Sequence, residues 1–388
     1  IEGEAHLYGS GYLGMTGLQA STSAYSSGPF NDPATGVPFN DVIALDVVHH
    51  RACLLRESGT LHCWGENHIS GPMGPGTGDE GGLWPATPLY QTAGGEVVEN
   101  ITDFCIGQYH GCVLTENEGE HESLCWGYGP ATGTGDTAHD PEPDTVKGGF
   151  GLVLEVPLVD IACGTNHSCG LDADGQAYCW GEGGDGQLGY GSTTDTQTAY
   201  EVKATVAAAS PPFVSLDLEG GRSCGLTAEG ERHCWGDLAA FGLGDTLYAT
   251  LLPETDVKDV AGDCLLTTEG SVSCMGYNNV GQLGQGEVGA YDVKVVNPMV
   301  VEGVSASDVA FTYTQMCAID ADETPGEVRC WGAGNSYGNG GVETPLGKDH
   351  ALPILGEDES PISATDIDAV YSHLCAILSD DGVACWGT

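Results

Sequence analysis

The sequence predicts an all-β fold, a seven-bladed β-propeller closed by an N-terminal strap, over a single domain spanning 1–388. Three observations predict it. A cysteine hairpin recurs seven times, and a glycine-rich element follows most copies. The chain also stops at "ACWGT" without that element, while "YGSGYLGMTG" at 8–17 carries the element without a preceding hairpin. Strand-built repeats of this length read as blades, because one sheet cannot bury both of its faces alone.

The hairpins are "CLLRESGTLHCWG" from Cys53, "CVLTENEGEHESLCWG" from Cys112, "CGLDADGQAYCWG" from Cys169, "CGLTAEGERHCWG" from Cys224, "CLLTTEGSVSCMG" from Cys264, "CAIDADETPGEVRCWG" from Cys317 and "CAILSDDGVACWG" from Cys375. We number these units 1 to 7. The cysteines within a unit are ten positions apart in five units and thirteen in two, with the extra residues where a turn belongs. Insertions at a hairpin tip leave the flanking strands in register. Around a three-residue loop such as Ala173-Asp174-Gly175, a glycine at the third position suits a left-handed closing residue, and Gly59, Gly230 and Gly270 repeat it. A cross-strand non-hydrogen-bonded pair brings α-carbons to roughly 4.5 Å, within disulfide reach. The expected pairs are Cys53–Cys63, Cys112–Cys125, Cys169–Cys179, Cys224–Cys234, Cys264–Cys274, Cys317–Cys330 and Cys375–Cys385. Metal or redox chemistry is the alternative, but zinc knuckles use CxxC-type pairs and none occurs. Structural disulfides imply an oxidising compartment, extracellular or at a cell surface.

Glycine elements follow as "GDGQLGYG" from Gly184, "VGQLGQG" from Val280 and "FGLGD" from Phe241, and apolar strands such as "LVDIACG" precede the hairpins. The blades divide at about 41–101, 102–158, 159–213, 214–255, 256–305 and 306–365, with 366–388 joined by 1–40 as the seventh. The N-terminal strap would remove the open edge of the last sheet. Two cysteines remain. Counted from the glycine five residues before the hairpin cysteine, Cys105 sits at minus two and Cys163 at minus one, so they lie on opposite strand faces. Opposite faces of neighbouring blades meet, which predicts an eighth disulfide, Cys105–Cys163, between units 2 and 3.

Charge narrows the function. Lys and Arg number 10 against 56 Asp and Glu, a formal net charge of −46. A nucleic-acid surface needs clustered basic residues, so no nucleic-acid partner is expected. No run of about eighteen apolar residues occurs, and direct membrane insertion is not expected. The chain starts at Ile1 with neither a basic segment nor an apolar core, so a signal peptide is absent or already removed. With 40% hydrophobic residues and sixteen cysteines the chain reads as ordered, with an acidic surface that attracts cations or basic partners.

Residues 164–189, "GTNHSCGLDADGQAYCWGEGGDGQLG", closely resemble the repeat of the regulator of chromosome condensation family, and weaker copies cover nearly the whole chain. The resemblance implies a seven-bladed propeller. Chromatin-linked nucleotide exchange, known in that family, does not suit so acidic a chain. A secreted, disulfide-containing bacterial-type branch, which includes an enzyme inhibitor gripping its target with one face, is the better comparison.

Several residues are candidates for chemistry. Arg51, His110, His167, Arg222, Gly262, Gln315 and His373 lie two before each first hairpin cysteine. They could form a polar crown for an anion or metal, or pack locally and hydrogen-bond a neighbouring strand. Trp64, Trp126, Trp180, Trp235, Trp331 and Trp386 share one repeat position, with Met275 in unit 5. Packing between blades is the expected role there, against the chromophore use known in a plant photoreceptor of the family. Asp172, Asp174, Asp380 and Asp381 lie in turns, and Asp185 and Asp245 in glycine elements. Loose calcium binding is conceivable on this carboxylate density, yet no twelve-residue calcium loop occurs and Asp-Gly is ordinary turn chemistry, so no metal or cofactor is assigned. No HExxH or sialidase-type Asp box is present, and the chain is read as a non-enzyme. Asn100 and Asn166 begin glycosylation sequons.

The long connections would sit at blade edges and faces, where a rigid frame carries its binding sites. Their aromatic residues Trp84, Tyr90 and Phe30 are the candidate partner contacts, against the alternative that they pack their own loops. The expected function is a protein-interaction or adhesion module. The alternatives are a self-assembling structural subunit of a filament or surface layer, a secreted enzyme inhibitor, and a calcium-dependent carbohydrate binder.

Overall fold

The computed structural model describes residues 6–7, 9–10, 25–26, 39, 41–48, 51–67, 82–89, 97–127, 129–134, 140–145, 147–148, 152–153, 157–261, 264–278, 281–284, 294–311, 315–322, 326–332, 352–353, 361–370, 373–379 and 383–387. Strands dominate, and the only helical turns among these residues are 3₁₀ segments at Gly129–Thr132 and Ala239–Phe241. Each cysteine hairpin supplies the middle two strands of an antiparallel sheet. In unit 3 the order from the inside is Leu158–Cys163, His167–Asp172, Ala177–Gly181 and Thr196–Glu201. Units 1, 2 and 4 repeat this four-strand order. Between units 5 and 6 one strand, Lys294–Phe311, is outer strand to one sheet and inner strand to the next.

Register follows from the turn. Cys169 lies opposite Cys179 and Cys224 opposite Cys234, each around a tip closed by a glycine with positive φ, 80° at Gly175 and 76° at Gly230. The Gly175 carbonyl then accepts the N–H of Phe213, at the entry to the next unit, at 2.8 Å. Gly59, Gly230 and Gly270 accept equivalent bonds from Ile101, Val257 and Ala306. A left-handed glycine therefore ends one hairpin and tethers its neighbour.

Most of the cores lie between units, while Cys224, Cys234, Leu238 and Leu252 cluster within unit 4. Cys112 and Cys125 of unit 2 share a cluster with Leu158, Ile161 and Trp180 of unit 3. Cys169 and Cys179 of unit 3 meet Phe213 and Trp235 of unit 4. Each sheet thus presents its cysteine pair forward and its tryptophan backward. Cys375 and Ile377 of unit 7 pack in the cluster of Cys53, Cys63 and Trp64 of unit 1. At the N-terminus His6–Leu7 runs parallel to the last strand, opposite Ala384 and Cys385.

Hydrogen bonds complete each junction. Trp180 Nε1 donates to Ala131 O of the preceding unit at 2.9 Å, Trp235 Nε1 to Gln187 O at 2.7 Å, and Trp331 Nε1 to Gln282 O at 3.1 Å. Ser168 and Ser223 hydroxyls donate to the carbonyls of Ala131 and Gln187. With that proton committed, each hydroxyl accepts from a histidine: His110 Nε2 lies 2.7 Å from Ser168 Oγ, and His167 Nε2 lies 2.8 Å from Ser223 Oγ. Both rings therefore carry the proton on Nε2. Both are fully buried, and burial pushes His167 down to about 3, so it stays neutral under physiological conditions. The imidazole lies on the backbone of Gly164, where an added Cβ would be 2.3 Å from His167 Cε1. That contact explains the glycine three residues before this histidine.

Gly164→Ala should therefore displace His167 and cost about 1–3 kcal/mol in urea unfolding. An unchanged midpoint would refute the packing account. The Cys105–Cys163 bond spans 58 residues, so the paired Cys105→Ala and Cys163→Ala substitutions should cost up to about 4 kcal/mol by loop entropy, against about 3 kcal/mol for a hairpin pair ten apart. Denaturant midpoints under non-reducing conditions compare the two.

Candidate interaction surface

The cysteine positions are placed as follows. Six hairpin pairs, Cys53–Cys63, Cys112–Cys125, Cys169–Cys179, Cys224–Cys234, Cys264–Cys274 and Cys317–Cys330, are disulfide-bonded with Cα separations of 4.1 Å. Cys375 is disulfide-bonded and lies opposite Cys385 in the strand register. Cys105 and Cys163 join units 2 and 3 with a Cα separation of 5.4 Å. Their sulfurs and that of Cys112 lie within 4.8 Å of one another. Paired in disulfides, they offer no thiolate to a metal ion.

Of the three aromatic residues expected to touch a partner, Tyr90 and Phe30 lie outside the described residues. Trp84 is not in a loop. It belongs to the outer strand Gly82–Pro88 of unit 1, opposite Gly65. The long connection folds back because the third strand would otherwise leave its N–H and C=O groups unpaired at an edge.

The polar residues before the hairpin cysteines do not form one open crown. His110 and His167 are enclosed in inter-unit junctions, and Arg222 takes the same position in unit 4. There the junction is rebuilt. Met275 stands where other units carry tryptophan, and the Phe241 ring lies 4.9 Å from the Arg222 guanidinium and 4.7 Å from that of Arg232. Arg232 is fully buried and pairs with Glu254 at 3.3 Å.

The turn carboxylates have local partners. Asp172 Oδ1 accepts N–H groups from Asp174 and Gln176, both at 2.9 Å. Asp380 and Asp381 lie outside the described residues. Ser168 of the second sequon is buried and bonded.

A row of aspartates lines the inner strands. Asp103, Asp160, Asp259, Asp308 and Asp366 occupy one register position, each opposite the residue two beyond the first hairpin cysteine. Asp46, Asp217 and Asp368 lie opposite that cysteine itself. The inner strand is an edge, and the next unit's inner strand has free N–H groups at its own edge. The carboxylates serve them: Asp46 accepts from Ile106 of unit 2, Asp103 from Ile161 of unit 3, and Asp308 from Ile367 of unit 7, at 2.7, 3.2 and 3.1 Å. The signal was in the sequence. An aspartate stands nine residues before the first hairpin cysteine in units 2, 3, 6 and 7.

Enclosure raises these acids. Burial, then the neighbouring Asp160 charge, pushes Asp103 up to about 7. Burial pushes Asp217 up to about 7, opposed by Arg222. Asp160 and Asp259 are raised by burial as well. Asp308 and Asp366 share a hydrogen bond; burial and then the Asp259 charge raise Asp308, and burial and then the Asp308 charge raise Asp366. A carboxyl raised in the folded state binds a proton that the unfolded chain has released, so its contribution is present at low pH and declines as pH rises from about 4 to about 7. Thermal stability should fall across that window. Asp366→Asn, whose amide donates to Asp308 at every pH, should flatten the decline. A melting temperature independent of pH between 4.5 and 7.5 (both about) would contradict the enclosed ring.

Comparison with known proteins places this architecture. Residues 158–187 and 174–206 match two models of the regulator of chromosome condensation (RCC1) repeat. The ultraviolet-B receptor UVR8 of Arabidopsis thaliana is 23% identical over 374 residues, covering 92% of this chain and 79% of the receptor. The mitochondrial RCC1 domain-containing protein RUG3 of Arabidopsis thaliana is 31% identical over 196 residues, covering 49% of this chain and 41% of that protein. Among solved structures, Prp20p of Saccharomyces cerevisiae superposes with a TM-score of 0.73 at 15% identity, covering 100% of this chain and 92% of that one. Human WBSCR16 gives 0.69 at 17% identity, covering 95% and 97%. The shared fold is the β-propeller, and residues 158–206 carry repeats of the regulator of chromosome condensation type.

Proposed function

We propose that this chain is a secreted or cell-surface, non-catalytic β-propeller that binds a partner protein on a disulfide-stapled scaffold. The observation that carries the reading is the cysteine chemistry: every described cysteine is paired, one pair in each hairpin and one between units. Such density belongs to an oxidising compartment and to the disulfide-containing branch of the family. We take the ring to have seven blades, with the N-terminal segment completing the last. The packing of Cys375 and Ile377 against unit 1 and the pairing of His6–Leu7 with the final strand support that closure.

The scaffold offers partners an acidic surface. With 56 acidic and 10 basic residues, it steers basic partners and disfavours nucleic acid. The work on Prp20p, which shares the fold, describes binding to Gsp1p and histones, so this architecture accommodates protein recognition. In our reading Trp84, Tyr90 and Phe30 contribute contacts at the blade edges, and recognition needs no cofactor or catalytic group.

The test is native isolation, non-reducing peptide mapping, and light scattering at several concentrations. A monomer with every cysteine paired, forming a complex of fixed stoichiometry that Trp84→Ala weakens, is the expected result. Free thiols would overturn the exported reading. Concentration-dependent self-association would instead assign a structural subunit.

A further inference from the structure

Every inner strand carries an exposed residue close to its start. In six units the ladder breaks there, between Val42 and Ala44, Ile101 and Asp103, Leu158 and Asp160, Val257 and Asp259, Ala306 and Asp308, and Ala364 and Asp366. The extra residue of such a bulge has no opposite partner and is aimed out of the ladder. Those residues are Ile43, Thr102, Val159, Lys258, Ser307 and Thr365, and Val214 holds the corresponding place before Ser215 in unit 4. All seven are exposed.

Their chemistry is uneven around the ring. Ile43, Val159 and Val214 are 53%, 53% and 58% exposed, although each is a large aliphatic residue. Scattered exposed apolar residues need no explanation, but these three share one repeat position. The hydroxyls at this position turn inward: Thr102 Oγ1, in unit 2 between Ile43 and Val159, donates to Leu114 O at 3.3 Å, and Thr365 Oγ1, in unit 7 before Ile43, to Ile377 O at 3.4 Å. The arc from unit 7 through unit 4 is therefore aliphatic, with its hydroxyl groups already bonded internally.

Acids surround this arc. The hairpin tips lie at the same end of each sheet, since Glu57 N bonds Asp41 O and Glu116 N bonds Asn100 O at the inner-strand entries. Glu57, Glu118, Asp174, Glu229, Glu269 and Asp322 are exposed there, one at the tip of each of units 1 to 6. The cations nearby are committed: Arg56 pairs with Asp41 at 2.8 Å, and Lys258 Nζ donates to Ser307 O. An apolar centre inside an acidic rim complements a cationic segment with apolar anchors.

We infer that the hairpin-tip end of the propeller is a docking face for a Lys/Arg-rich protein segment, whose aliphatic or aromatic side chains seat on the Ile43–Val159–Val214 arc. This deepens the interaction reading and rests on it.

The probe is a fluorescent, photo-crosslinkable peptide of about 14 alternating-face Lys and Leu residues, long enough to lie across the face as a helix, used with the intact disulfide-bonded protein. A Leu→Ser version of the peptide controls for charge alone. The protein variant Ile43→Ser/Val159→Ser/Val214→Ser removes the arc at exposed positions. Val206→Ser/Leu251→Ser/Val300→Ser, also at exposed apolar sites, is the matched control. We expect crosslinks at the inner-strand entries and tips, and about tenfold or greater weakening by the arc variant but not by the control. Binding should weaken as salt rises. Crosslinks at the glycine-element end, or equal affinities for both variants and both peptides, would overturn the assignment. A native partner complex that survives the arc variant would overturn the face while leaving the interaction reading intact; the absence of any partner complex would remove both.

Discussion

The junction between neighbouring sheets governs this molecule. A four-stranded sheet buries one face against the unit before it and one against the unit after it, and the sequence makes those faces unlike. The forward face carries the cysteine pair and the backward face the tryptophan, so the contacts of unit 2 with unit 3 and of unit 3 with unit 4 join a disulfide to an indole. One backbone carbonyl, Ala131 or Gln187, receives both the indole N–H and the serine hydroxyl of the next unit, and a buried neutral histidine closes the network. A satisfied polar network in a dry junction fixes geometry more sharply than apolar contact alone, because any shift leaves a buried group unpaired.

The junctions are not equivalent. Between units 2 and 3 the Cys105–Cys163 bond crosses where other inner strands place an aspartate or alanine. Between units 4 and 5 the missing indole leaves room that Phe241 and two guanidiniums share. Two of the molecule's five arginines are not on its surface to balance the acids: Arg222 and Arg232 are both buried at this one place.

The inner aspartates meet a different demand. Inner strands of adjacent units do not pair as a ladder, so their edge N–H groups need acceptors, and carboxylates reach across to supply them. Placing several carboxylates in one enclosed ring raises their proton affinity, and some of the formal charge is absent near neutral pH. Ring assembly is in this way coupled to proton binding. The same strands expose Ile43, Val159 and Val214 one to three residues before their aspartates, so a single stretch of chain faces both the interior network and the solvent.

Local features were legible from the chain alone. The spacing of Cys169 and Cys179 around Asp174-Gly175 sets a hairpin register without reference to anything distant, and the alternation of strand faces was enough to relate Cys105 to Cys163. Trp84 was misplaced because the length of its connection hides a strand that forms only when an edge is waiting for it. The regular offset of Asp103, Asp160, Asp308 and Asp366 could be seen in the sequence, but an aspartate before a hairpin has no stated role until a second unit brings its N–H groups within reach. The sequence by itself determined the repeat, the hairpins and the acidic balance, because these depend on neighbours along the chain. Only the tertiary structure decided which carboxyls hold protons and which aliphatic side chains meet water, because burial and charge–charge distance are set between units that lie some fifty to sixty residues apart (about one repeat).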